Sequence, residues 1–535
     1  METDEPCEVD ILSHRARTVT VGGHHFALVS VADLTPGSRT AYEVRLDGDL
    51  AWPLAESPYP ASVIRTPLPE QKLRFAFGSC RHATPMAFGE QSPHDPDALD
   101  TYARDLAAGT KTWPDVLMLL GDQVYADETS PDTKAFIATR RDIERPPYGE
   151  VADFEEYTRL YLESWGDPDV RWLLSTVPSM MIFDDHDVRD DWNTSESWRR
   201  KMAATDWWHG RITGGLASYF LYQHLGNLSP AQLAAEPTWA EAQKISADGA
   251  DAWDLLEGFA ERADAEADGG PGYQWSYRRD FGRTRVLVID TRCGRVLTDG
   301  HRSMVSPPEW AWIKEQLAGD YDHLLIGSSL PWLMPQAIHD IEATNEAMVA
   351  GVWGPSWAAR GEKLRQLADM EHWAAMRESF EAFLDLVRAV GRGDYGPPPA
   401  TICVLSGDVH HAYVAEADIA GVSSKVYQLT CSPVHNDVPG FMRVGFTAGW
   451  SRWAARLTRL FTLGARILRP RLTWHKLAGP YFGNMLAVLE IDRRASRITL
   501  NKSYAGTRAA LKPAAAVPLS WHNNLPPAKP RRARR

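Results

Sequence analysis

The chain has 535 residues, a 44% hydrophobic and a 24% charged fraction, and a formal net charge of −13. That is the composition of a folded globular protein with a large core, and its acidic balance argues against a general nucleic-acid binder, which carries a basic footprint. The five cysteines, Cys7, Cys80, Cys293, Cys403 and Cys431, are far apart and form no CxxC pair, which argues against a zinc knuckle and leads us to expect reduced thiols and a cytoplasmic location. The acidic first residues show neither a basic n-region nor a twin arginine, so no export signal is expected, and no apolar run approaches the roughly 18–20 residues of a membrane span.

Residues 17–66 alternate apolar and polar side chains. The segments 17–21, 25–31 and 40–46 read as strands, with turns at Gly22–Gly23, Pro36–Gly37 and Asp47–Gly48. Residues 34–44 resemble a strand pair of fibronectin-type sandwiches. Residues 1–69 are therefore expected to form a small all-β module that ends in the proline-rich linker 67–69.

The pattern then changes. Short apolar runs at 73–77, 116–120, 180–183, 286–289, 324–326 and 401–405, each bounded by Gly, Asp or Ser, read as buried strands. Helical spacing lies between them, at 306–317 and 362–390. Alternation of this kind predicts an α/β class with layered sheets, in which ligands gather at the carboxyl ends of strands. Residues 230–270, rich in Ala, Glu and Asp, read as a surface insertion with a mobile loop at 264–270. Residues 511–535 read as a disordered basic tail.

Five of these runs end in polar clusters. They are Gly78–Ser79–Cys80–Arg81, Gly121–Asp122–Gln123–Val124–Tyr125, Asp184–Asp185–His186–Asp187, Asp290–Thr291–Arg292 and Ser406–Gly407–Asp408–Val409–His410–His411. One Asp after a strand is commonly a helix cap. Several on independent strand ends point instead to metal ligation, for which carboxylate, imidazole, phenolate and thiolate are all suitable donors. A carboxylate between two cations about 3.5–4 Å apart can bridge them, and Asp122, at the tightest turn, is the natural bridge. Tyr125 can return to the same metal, and a phenolate suits a ferric ion. Cys80 would be deprotonated on coordination. Asp408 and His410 point the same way if their segment is extended. Asp127 and Asp184 are expected as hydrogen-bond acceptors that orient the ligands, and His411 as a supporting rather than a ligating residue.

The Gly-Asp-x-x-Tyr block at 121–125 resembles that of purple-acid-phosphatase-like metallophosphoesterases. The whole set of blocks, in this order and preceded by a β-sandwich, is similar to the PhoD-like alkaline phosphatase family over residues 75–413. The resemblance implies a metallophosphoesterase-type αββα sandwich over 70–510 and a phosphate-ester substrate. It implies a ferric site at Cys80, Asp122, Tyr125 and His410, and a divalent site, calcium in the family, at Asp122, Asp185 and Asp408; zinc and manganese remain alternatives. His186 would face the phosphate and Arg292 would help neutralise it. The expected reaction is attack on phosphorus by a metal-activated hydroxide, on a monoester or a diester, and the alternative is a metal-binding module without catalysis. Asp187 replaces the family's usual Glu, and Asp190–Asp191 its usual Asn pair.

Residues 442–471 contain seven arginines and no acidic residue, with apolar side chains at helical spacing. They read as one basic amphipathic helix ended by Pro470. The preferred reading is a helix over the rim of the site whose arginines pair with the protein's own carboxylates. The other is peripheral contact with an anionic membrane.

Overall fold

The computed structural model describes residues 1–68, 71–83, 95–298, 301–505 and 509–520. Two sheets pack face to face. We label their strands β1 (Leu73–Gly78), β2 (Val116–Leu120), β3 (Ser179–Ile182), β4 (Tyr277–Phe281), β5 (Thr284–Ile289), β6 (His323–Ser328), β7 (Thr401–Ser406), β8 (Ala412–Asp418), β9 (Lys425–Thr430), β10 (Thr473–Tyr481), β11 (Met485–Asp492), β12 (Ala495–Tyr504) and β13 (Ala510–Ser520). The first sheet has the order β3-β2-β1-β11-β12-β13 and the second β4-β5-β6-β7-β9-β8-β10. The strands β1, β2 and β3 run parallel, as do β5, β6, β7 and β9. Every residue of β2, β5 and β7 is buried, which explains why these strands are continuous apolar runs rather than alternating ones.

Phe75, Phe77, Met118 and Leu120 of the first sheet meet Val286, Val288, Leu405 and Leu429 of the second in one central core. A separate core joins the outer face of the second sheet to helices 307–316 and 377–392. Another joins the first sheet to helices 98–107 and 168–174. The result is the expected four-layer α/β sandwich.

The helix at Pro307–Gln316 matches its expectation: Ser306 caps it by accepting from Glu309 N, with proline at the first helical position. The expected helix 362–390 is instead two, Pro355–Leu367 and Arg377–Arg392, parted by an irregular segment and a short 3-10 turn at Trp373–Ala375.

Residues 230–270 are not a surface insertion. Their helices send Trp239, Ala242, Leu256, Phe259 and Ala260 into the central core. The expected mobile loop begins as a 3-10 turn, Ala265–Asp268, and Arg199 holds both Asp264 and Asp268 at 2.8 Å. Residues 510–520 of the expected tail form the edge strand β13, because their small apolar residues continue the antiparallel pairing of β12. Residues 521–535 lie outside the described residues, as do 69–70 at the end of the expected linker. The strand meander from 473 onward had no counterpart among the sequence expectations.

The N-terminal residues do form an all-β module, built from small sheets of three, four and two strands. Its strands are shorter than expected: His24–Phe26 replaces 25–31, and 40–46 divides into Arg39–Ala41 and Val44–Leu46. It is fixed to the sandwich by Tyr59 Oη donating to Asp169 at 2.5 Å, and by Gly22 N and Gly23 N both donating to Asp251 at 2.8 Å.

Candidate metal centre

The carboxyl ends of the parallel strands of both sheets converge. Cys80 N donates to Gly121 O at 3.1 Å and so joins the end of β1 to that of β2. Asp408 N donates to Ser79 Oγ at 3.0 Å and so joins β7 of the other sheet to β1. Gly407 makes this approach possible, since a Cβ there would lie 1.8 Å from Ser79 Oγ. Cys80, Asp122, Asp408 and His410 all have positive φ, at 58°, 53°, 65° and 45°. Non-glycine residues rarely adopt this region, and its concentration here marks a site held by its surroundings. The segment 408–410 is therefore a tight turn and not the extended run that sequence alternation suggested.

Four carboxylates meet at this point. Asp122, Asp184, Asp185 and Asp408 each place an oxygen within 4.8 Å of the others. Asp122 Oδ1 and Asp184 Oδ2 are buried and accept no hydrogen bond among the described residues, while Asp185 Oδ1, also buried, faces Arg292 Nη2 at 3.1 Å. Burial raises the affinity of Asp122, Asp184 and Asp185 for protons, and their mutual repulsion raises it further. Asp408 is the exception. Burial acts against its charge too, but His372 and Arg292 outweigh it and hold its pKa down to about 2. Unpartnered buried oxygens facing one another fit a hard cation, which would supply the positive charge they lack. The three expected divalent ligands, Asp122, Asp185 and Asp408, are thus brought together, with Asp184 beside them.

The expected ferric ligands lie around the same turn without forming so tight a group. Among the described residues, neither Cys80 nor His410 belongs to a metal-sized cluster. Cys80 Sγ lies 3.1 Å from Ser432 Oγ, and burial and the charges of Asp122 and Asp408 push its pKa well up. Tyr125 Oη accepts from Asn436 Nδ2 at 3.0 Å. His410 Nδ1 lies 2.9 Å from the carbonyl of Asp437, which fixes the proton on Nδ1 and leaves Nε2 with its lone pair. Each donor therefore has the support a metal ligand needs.

His186 packs against Tyr125 with the rings tilted by 32° and their centroids 4.5 Å apart, and its Nδ1 meets Asp127 Oδ1 at 2.8 Å. Burial disfavours its charged form, but Asp127, Asp185 and Asp122 more than compensate and raise its pKa well above the ordinary value. Asp127 is the acceptor that the sequence reading made it.

Arg292 is placed differently from its expectation. It is fully buried and pairs with Asp184, with Glu371 at 2.5 Å and with Asp185 at 3.1 Å. It lies beneath the carboxylates rather than in front of them, and neutralises the protein's own charge instead of a substrate's.

Sequence reasoning missed three further parts of the centre. Asp187, regarded only as a departure from Glu, accepts from Asp122 N and Asp184 N, both at 2.9 Å, and from Gln123 N at 3.2 Å; it fixes the turn that presents Asp122. His372 links Glu342 at 2.8 Å to Asp408 at 3.1 Å and so orients that carboxylate. Glu371 anchors Arg292 and also Arg295, at 3.0 Å. Residues 371 and 372 come from the break in the helix read as 362–390. His411 is buried, with Nδ1 2.6 Å from Val409 O and its ring stacked on Phe446, and it lies outside the carboxylate cluster.

Residues 1–64 match the model of a domain family of unknown function, DUF7800, and residues 76–237 match that of the PhoD-like phosphatase family. No curated protein sequence matches the chain. Among solved structures, PhoD superposes with a TM-score of 0.55 at 12% identity, covering 97% of this chain and 84% of that one. Purple acid phosphatase PPD1 from yellow lupin (Lupinus luteus) seeds gives a TM-score of 0.46 at 11% identity, covering 95% of this chain and 69% of that one. The four-layer sandwich, the carboxylate cluster at its strand ends and the family match over the segment that supplies Cys80, Asp122, Tyr125, Asp185 and His186 agree, and residues 76–237 carry a PhoD-like phosphatase domain.

Proposed function

We propose that the protein is a metal-dependent phosphoric ester hydrolase acting at the Asp122–Asp184–Asp185–Asp408 cluster. The observation that carries this reading is the convergence of four carboxylates, with buried, unpartnered oxygens on Asp122 and Asp184, at strand ends next to a segment that matches the PhoD-like phosphatase family. Asp122, Asp185 and Asp408 would hold a divalent cation, for which calcium suits an all-oxygen donor set. Cys80, Tyr125 and His410, with Asp122 shared, would hold a trivalent iron. When bound, the two cations supply Lewis acidity toward the phosphoryl oxygens and a water of lowered pKa.

The remaining work falls to the chain's own groups. Asp127 orients His186 through Nδ1 and favours the imidazolium, whose Nε2 proton can bind a phosphoryl oxygen or pass to the leaving alkoxide. Arg292 holds Asp184, Asp185 and Glu371 in place from below. His372 fixes the orientation of Asp408. The five free cysteines support action in a reducing compartment such as the cytoplasm.

The test is metal analysis of the purified protein together with turnover of chromogenic phosphate monoester and diester substrates, with iron and calcium added. Asp122→Asn is expected to lose bound metal and activity together. Tight metal binding without turnover of either ester class would identify a binding module, and a fully metallated, fully active Asp122→Asn would overturn the bridging role.

A further inference from the structure

The expected single helix 442–471 is two, Gly440–Gly449 and Arg452–Gly464. The second starts afresh where Ser451 Oγ accepts from Ala454 N at 3.1 Å, and it stops at Gly464, before Pro470. Its amphipathicity is inverted. Thr458 and Thr462 form its buried side, against helix Gln336–Val349, where Thr458 Oγ1 donates to Asp340 at 3.3 Å. The apolar stripe Trp453, Leu457, Leu460 and Phe461, spaced i, i+4, i+7 and i+8, points outward, with Trp453 73% exposed. On the first helix, Phe441 (78% exposed) and Val444 extend this apolar face.

The arginines were expected to pair with the protein's own carboxylates, and the structure divides them. Arg443 pairs with Asp437, Arg459 lies 3.7 Å from Asp340, and Arg471 pairs with Glu381 and Asp385. Arg452, Arg456, Arg466 and Arg469 make no ion pair among the described residues. Three of these, Arg452, Arg456 and Arg469, join Arg459 in lining a cavity of about 330 Å³, flanked by Asp340 as its one carboxylate. A water-facing helix ordinarily shows its charges and hides its large apolar side chains. This one shows both, side by side, on a protein whose net charge is −13.

We propose that the paired helices 440–464 form a docking surface for an anionic phospholipid bilayer, with Trp453, Leu457, Leu460 and Phe461 entering the acyl boundary and a headgroup phosphate occupying the four-arginine cavity. An exposed Trp beside an apolar stripe suits the interfacial zone of a bilayer, and adjacent guanidinium groups suit its phosphates bidentately. The negative charge of the rest of the chain keeps other faces off an anionic surface, so the positive face alone sets the orientation. Docking would also hold the rim of the candidate metal centre at the bilayer, since Phe446 of the first helix stacks on His411 at 4.3 Å. No described helix is long and apolar enough to cross a membrane, so the contact is peripheral.

The test is co-sedimentation of the full chain with vesicles of phosphatidylserine mixed with phosphatidylcholine, and of phosphatidylcholine alone. It reads binding without turnover and so stands apart from the phosphoesterase reading. Binding is expected to the anionic vesicles, weakening with salt, and to fall about tenfold or more in Trp453→Glu/Phe461→Glu and in Arg452→Glu/Arg456→Glu. All four positions are exposed, and thermal melting checks that the variants fold. If a variant melts early, the salt dependence and the lipid preference of the wild-type chain decide. Absence from anionic vesicles, equal binding to phosphatidylcholine, or variants that bind like wild type would overturn the proposal. So would a wild-type dimer that Trp453→Glu/Phe461→Glu dissociates, with no vesicle binding, or occupancy by inorganic phosphate alone.

Discussion

Replacing Arg292 by Met separates its observed place beneath the site from the substrate-facing place that the family resemblance implied. The guanidinium is wholly buried and lies against Asp184, Glu371 at 2.5 Å and Asp185 at 3.1 Å, with Asp408 at 3.9 Å. Met fills similar volume without charge and leaves these carboxylates buried and less compensated. Removing one partner of a buried pair costs about 3–5 kcal/mol. The upper part of that range is expected here, because Arg295 still reaches Glu371, whereas Arg292 is the one cation paired with Asp184 among the described residues. Urea unfolding in the presence of a chelator should therefore show the full loss. Calcium should recover more stability in the variant than in wild type, since a cation then supplies charge that the arginine no longer does. Arg292→Lys, with a point charge in place of a fork, should fall between the two. A variant as stable as wild type in chelator, with only KM for a phosphate ester raised tenfold or more, would show that the guanidinium meets substrate and would refute the argument.

His24 bridges Glu2 and Glu155, each at 2.8 Å, and the bond to Glu2 leads in raising its pKa from 6.5 to about 9, against burial. A raised folded pKa means that the stabilisation is complete below about pH 6.5 and lost as the pH climbs through about 9; after solvent screening it is worth about 1 kcal/mol, and pH-dependent unfolding of His24→Gln should lack that slope. Gly407→Ala forces a Cβ to 2.2 Å from Ser79 Cβ; it should cost about 1–3 kcal/mol in urea unfolding and lower metal content by disturbing the Ser79–Asp408 bond. Asp187→Ala strips the backbone donors at 122, 123 and 184 of their acceptor, and should cost about 1–3 kcal/mol and reduce bound metal, as elemental analysis would show.

What the sequence made legible follows from where each residue sits in its element. Asp122, Asp185 and Asp408 stood out because each follows a buried apolar run, and parallel strands deliver such residues to one edge. Glu371 and His372 had no such marker. Their neighbours keep helical apolar spacing on both sides, so 362–390 read as one helix, and only tertiary contact shows where it breaks. Arg292 sits at a strand end like the ligands, but an arginine there reads the same whether it faces solvent or lies under carboxylates. Residues 230–270 were misjudged on composition, since their Trp, Phe and Leu are few but all point inward. The inverted helix 452–464 carries the usual amphipathic period, and period alone does not say which face the protein covers.

The left-handed backbone at Cys80, Asp122, Asp408 and His410 bears on how such a centre is loaded. The turns are tied by Gly121 O, Ser79 Oγ and Asp187, groups that belong to the chain and stay when an ion leaves. The donors are therefore held by the chain's own hydrogen bonds as well as by any ion they take up. Exchange of one cation for another should then proceed at a rate set by ligand protonation and water loss, with the scaffold a bystander. A centre of this kind would take on whichever suitable ion its surroundings supply, so availability as much as the protein would decide its metals.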